Sequence, residues 1–151
     1  MSVRKDIDGS LLPAVNAAPR AVVVLTVDWS SPERTARVAF RGAAERLAAE
    51  HPALGVEWFA LDEDTDWCQA WLAGVAFLGL GDGIPRGAGS MAWLEGGRLV
   101  SSELGGCSLS IADIVSRSVS LWAKHAEPGA AADDGGISAF QSSRSLGPRR
   151  G

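Results

Sequence analysis

The chain reads as an α/β protein, a central mixed sheet flanked by helices, and three observations predict it. Residues 21–27 (AVVVLTV) form a run rich in β-branched valine, the composition of a strand buried on both faces. Residues 32–50 follow with apolar and polar positions at helical spacing. Farther on, Met91–Leu94, a Glu95-Gly96-Gly97 turn and Arg98–Ser102 give a strong hairpin signal, with a last helix behind it.

Taken in order, residues 1–20 are mixed, with a short helix around Leu11–Ala18 interrupted by Pro13. After the first strand, residues 28–33 (DWSSPE) read as a turn into a helix. Ser30 or Ser31 can cap it, Pro32 suits the first turn, and Glu33 places negative charge at the positive end of the helix dipole. Val38, Ala39, Ala43, Arg46, Leu47 and Glu50 carry the helical pattern, and His51-Pro52 ends it. Val56–Leu61 is a second strand, closed by the acidic residues 62–66 (DEDTD). A helix is predicted from Trp67 to about Leu78, with Trp67, Trp71, Leu72 and Val75 on one stripe, then a glycine-rich loop over residues 79–90. The last helix runs from Ser110 to about Lys124, with Ile111, Ile114, Val115, Val119 and Trp122 at helical intervals. From Glu127 onward Gly, Ala, Ser and Pro dominate, which predicts a flexible tail in which Ile137, Phe140 and Leu146 could serve as a short docking motif.

The 151 residues are one domain's worth and long enough to bury a core. Hydrophobic residues at 46% against charged residues at 21% suit a soluble globular protein, and a net charge of -4 argues against nucleic acid as partner. Arg outnumbers Lys, and Ala and Gly abound, as in a GC-rich, bacterial genome. Cys68 and Cys107 lie far apart, belong to no CxxC, and do not make a disulfide framework. The first twenty residues lack the apolar core of a signal peptide and no segment approaches a membrane span, so a cytoplasmic protein with no membrane contact is expected.

Residues 28–34 (DWSSPER) resemble the W-C-G-P-C-K segment of the thioredoxin-like superfamily, keeping Trp29, Pro32 and a basic last residue. Residues 60–64 (ALDED) resemble the acidic end of that family's next strand. Residues 93–100 (WLEGGRLV), followed by Leu104-Gly105-Gly106, resemble its hairpin, F-x-x-G-x-x-V then G. The resemblance covers residues 18–125 as a thioredoxin-like domain, with 1–17 as an N-terminal segment and 126–151 as the tail. Its departures point one way. Ser30 and Glu33 stand where the family keeps its two cysteines, and a dithiol site needs a thiolate nucleophile and a resolving thiol. The family's buried strand aspartate is replaced by valine, and its cis-proline falls on Ala88, or on Pro85 if the loop is longer.

What the resemblance implies is a redox-inactive thioredoxin-like module that binds a protein or peptide as adaptor, assembly factor or chaperone, with no cofactor and no metal. The thioredoxin-like chaperones of hydrogenase maturation, which also lack CxxC, are one precedent. The expected surface joins Trp29, Ser30, Ser31 and Pro32 to Pro85, Arg86, Gly87, Ala88 and Gly89, where an extended peptide can pair with backbone. Ser30 could instead donate to a bound thiolate, as in some thioredoxin-fold glutathione transferases, although those carry a further helical domain.

The residues themselves offer other chemistries. A thiol enzyme could use Cys68 or Cys107 if its pKa were lowered. Residues 58–65 (WFALDEDT) fit hhhhDxDxT, the motif of haloacid-dehalogenase-type phosphatases, with Asp62 as nucleophile and Asp64 as general acid/base; the later lysine and acidic pair have poor candidates here. Asp62, Asp64 and Asp66 echo a calcium loop, but Trp67 replaces its glycine and no glutamate closes it. Gly79–Gly83 lacks GxGxxG spacing. His51 and His125 sit at the ends of predicted helices, too few for a zinc site.

Overall fold

The structure, a computed structural model, describes residues 3–6, 8–74 and 87–126. Two compact units divide the chain, Met1–Ser116 and Arg117–Gly151. The first holds a five-stranded sheet made of β1 (Val3–Asp6), β2 (Ala21–Thr26), β3 (Glu57–Asp62), β4 (Met91–Glu95) and β5 (Arg98–Glu103), in the order β1-β3-β2-β4-β5. β1, β3 and β2 run parallel, while β4 and β5 are antiparallel to their neighbours. The sheet is mixed and flanked by helices, as the sequence predicts.

β2 is central and every one of its residues is buried, which is why it reads as an unbroken apolar run. One sheet face carries Val23, Leu25, Phe59, Leu61, Ala92 and Leu94. These pack with Val15 of α1 (Leu12–Ala17) and with Trp71 and Leu72 of α3 (Asp66–Gly74). The opposite face receives α2 (Ser31–Glu50), whose Phe40 meets Trp58 of β3 edge-on, ring centroids 5.1 Å apart at 78°. α2 begins at the capping Ser30 and stops at His51, which is followed by a 3-10 turn over Pro52–Leu54.

Two sequence expectations need correction here. Residues 3–6 form an edge strand that the mixed N-terminal composition did not announce. The strand packs through charged residues: the Arg4 guanidinium lies 4.5 Å above the Phe59 ring, and buried Asp6 accepts hydrogen bonds from the amides of Gly9 (2.9 Å) and Leu11 (3.0 Å) at the turn into α1. Val38, placed in the apolar pattern of α2, points outward and is 69% exposed, because Phe40, two positions on, takes the core side. The hairpin is found as expected, with a bulge between Trp93 and Leu94. α3 is described only as far as Gly74, and Val75, Leu78 and the docking residues of the tail lie outside the described residues.

α4 (Ile111–Ala126) opens with a capping box in which Ser110 Oγ accepts from the Asp113 amide (3.1 Å) and Asp113 Oδ2 from the Ser110 amide (2.9 Å). In the second unit this helix continues from Arg117, with Ser118 and Trp122 buried.

Phe40→Ala removes the aromatic partner of Trp58 from a fully buried site and is expected to cost about 3–5 kcal/mol in urea unfolding.

Candidate functional site

β2 ends at Thr26, and residues 27–30 carry the chain across the sheet's edge into α2. Extended backbone at Ser30 (φ -110°, ψ 130°) leaves its hydroxyl facing the helix start, where it accepts from the Glu33 amide at 3.3 Å. The same hydroxyl donates to the carbonyl of Gly87. The Gly87 amide in turn donates to Glu63 Oε1 at 3.1 Å. Glu63 is itself buried at the end of β3, its amide bonded to the Thr26 carbonyl and its carbonyl accepting from Gln69 Nε2 at 2.7 Å.

The rest of the loop is held as firmly. The Ala88 carbonyl accepts from the Cys107 amide (3.2 Å), the Ser90 carbonyl from the Leu25 amide (2.9 Å), and the Ser90 hydroxyl donates to the Leu104 carbonyl. Gly89 adopts φ +69° with α2 against it, where a Cβ would strike Ala36. A Cβ on Gly106 would run into the Gly89 carbonyl oxygen, so the 3-10 turn Gly106–Ser108 reaches the loop only because residue 106 has no side chain.

Around these anchors lies an open groove of about 540 Å³ lined by Trp29, Ser30, Ser31, Pro32, Gly87, Ala88 and Cys107. Trp29 is 62% exposed, and Asp64 Oδ2 fixes its ring by accepting from Nε1 at 2.8 Å. An indole oriented by one end and open on its faces is a ready hydrophobic anchor.

Next to Pro32 in the first turn of α2, Glu33 is fully buried. Its Oε2 lies 3.2 Å from Arg37 Nε, and Oε1 has no hydrogen-bond partner among the described residues. Burial pushes its pKa above the usual 4.5, while Arg37, Arg34 and Lys5 pull it down by smaller amounts and Asp28 pushes it up.

Of the surface expected from the sequence, Trp29, Ser30, Ser31, Pro32, Gly87 and Ala88 come together in one groove; Gly89 lies behind it against α2. Pro85 and Arg86 lie outside the described residues, and no cis peptide bond occurs among those described, Ala88 included. Cys107, a candidate thiol from the sequence, was not expected at the groove it lines, and Glu63, which braces the groove, was not singled out. For Cys107 no local pattern gave a signal. Glu63 was legible, since alternation along β3 puts it on the same face as buried Phe59 and Leu61.

The two cysteines are not disulfide-bonded and have opposite settings: Cys68 is wholly buried in the core and Cys107 is half-buried at the groove. Asp62 and Asp64 build the turn after β3, Asp62 Oδ1 accepting from the Asp64 amide at 3.0 Å, with Asp64 further committed to Trp29. Among the described residues no group of three or more His, Cys, Asp or Glu is placed to hold a metal ion, and no helix is long and apolar enough to cross a membrane.

No family model matches the chain, and no curated protein does. Solved structures match it well. Thioredoxin O2 from Arabidopsis thaliana in the oxidized state superposes with a TM-score of 0.56 at 13% identity, over 80% of this chain and 95% of that one. The zinc-bound form of human ERp44 gives 0.56 at 15% identity, over 77% of this chain and 31% of that one. Thioredoxin f2, solved in complex with ferredoxin:thioredoxin reductase, gives 0.54 at 11% identity, over 80% and 94%. The chain has the thioredoxin-like fold.

Ser30→Ala removes the cap of α2 and the tether of Gly87 together and is expected to cost about 1–2 kcal/mol, with faster amide exchange at Gly87 in hydrogen-exchange measurements. Glu33, whose folded pKa is raised, gives stability that is fully present below the unfolded value of 4.5 and lost as pH rises through the folded value. Glu33→Gln is therefore expected to be more stable than wild type at neutral pH and no more stable at pH 4, read from urea midpoints across that range.

Proposed function

We propose that this chain is a protein- or peptide-binding module, an adaptor, assembly factor or chaperone of the cytoplasm, that does not carry out dithiol exchange. The observation that carries this reading is the groove itself: an exposed indole, fixed by Asp64, stands on the rim of a cavity of about 540 Å³ whose floor is braced from three sides. Large apolar anchors beside concave surfaces are what peptide ligands use. At the helix start, where this fold's oxidoreductases present cysteines, Ser30 is occupied as cap and tether and Glu33 is buried. The neighbour solved in complex with a reductase is itself a partner-binding protein, and the CxxC-lacking chaperones of hydrogenase maturation are a precedent by analogy.

A second reading has one observation in its favour. Cys107 lines the groove, so a thiol enzyme built on this surface would use Cys107; Cys68, sealed in the core, is not available to a substrate. Insulin reduction with dithiothreitol separates the two. The binding module is expected to give the uncatalysed rate, with wild type and Cys107→Ser alike, whereas rate enhancement lost in Cys107→Ser establishes the thiol enzyme. In a pull-down from native lysate, a partner held by wild type is expected to be lost from a Trp29→Ala, Pro32→Ala double variant. Retention by both variants would place the interface elsewhere.

A further inference from the structure

On the sheet face covered by α2, away from the groove, lies a second cavity of about 160 Å³. Lys5, Arg37 and Arg41 converge on it with Thr26, over a floor that includes Phe40 and Ala60. The cations come from two separate elements. Alternation along β1 puts Lys5, paired with Ala60 of β3, on the α2 side of the sheet, and Arg37 and Arg41 are one turn apart on α2.

The helix dipole does not account for this placement. α2 has no basic residue in its last turn, where the dipole would favour one, yet carries Arg34, Arg37 and Arg41 nearer its N-terminus. Salt bridges offset only part of the charge. Lys5 and Arg41 belong to no ion pair among the described residues, and the one carboxylate coupled to the cluster is the buried Glu33, 3.2 Å from Arg37 Nε and within electrostatic reach of Lys5. The adjoining cavity that shares Lys5 and Thr26 is the acidic one, lined by Asp6, Asp28 and Asp62. In a chain of net charge -4 such a local concentration of cations stands apart.

We propose that Lys5, Arg37 and Arg41 form a binding site for a small phosphate-class oxyanion, either inorganic phosphate or the phosphate of a small phosphomonoester. Two guanidinium groups offer paired donors to tetrahedral oxygens, and Lys5 supplies a point charge from the opposite wall. The cavity admits the phosphate group and not a nucleotide as a whole.

The test is a titration of the 15N-labelled full chain at pH 7.5 and fixed ionic strength, with inorganic phosphate in one arm and glycerol 3-phosphate in the other, chloride replacing each as control. Saturable shifts confined to residues around Lys5, Thr26 and 37–41 are expected. Lys5→Gln and Arg41→Gln should each weaken binding about tenfold. Arg46→Gln, which removes a cation of the same helix paired to Glu50, should leave it unchanged. Tighter binding of glycerol 3-phosphate identifies an organic phosphate as the ligand, and tighter binding of inorganic phosphate identifies the free ion. Absence of saturable shifts, or equal affinity in Arg41→Gln and wild type when both spectra show the folded chain, overturns the proposal.

Discussion

The groove depends on one hydroxyl group. Ser30 Oγ accepts from the Glu33 amide and donates to the Gly87 carbonyl, so the start of α2 and the loop before β4 share a single hinge atom. Cap geometry fixes where that oxygen stands, and Gly87 must follow it. The indole of Trp29 then lies against Gly87, close enough that a Cβ there would collide with the ring. At the start of α2 this chain keeps an atom that serves as both cap and tether.

Two buried carboxylates frame that hydroxyl and are treated differently. Glu63 receives the Gly87 amide at 3.1 Å and binds β3 to the loop. Glu33 has an arginine at one oxygen and no hydrogen bond at the other, so desolvation prevails over attraction and its pKa rises. A buried acid that gains little from its surroundings is a cost to folding at neutral pH. The folded chain carries that cost in the first turn of α2, one residue beyond the groove's Pro32.

Most of the architecture was legible because its signals are local. The valine run of β2, the Ser30 cap with Pro32 behind it, the His51-Pro52 stop and the β4–β5 hairpin each follow from a few adjacent residues. The half of the groove built from residues 29–32 was legible for the same reason. What escaped was set by distant contacts. β1 packs Arg4 on Phe59 and folds Asp6 into a turn, so no apolar pattern marks it as a strand. Cys107 reaches the groove because Gly106 can touch the Gly89 carbonyl, a contact across 17 residues that no spacing rule encodes. Val38 misled because helical periodicity alone does not say which of two neighbouring apolar residues turns inward.

The anchoring of the loop has a consequence for what the groove can recognise. Gly87 has both its amide and its carbonyl committed, to Glu63 and Ser30, and the Ala88 carbonyl already receives Cys107. A ligand chain laid alongside finds much of the loop's main-chain hydrogen bonding turned inward, so generic strand addition is curtailed. Discrimination then falls to the shape and chemistry of whatever side chain settles beside Trp29. For the peptide-binding role proposed above, such a surface would select by sequence motif, and a floor that needs no ordering on contact would lower the entropy lost in the encounter.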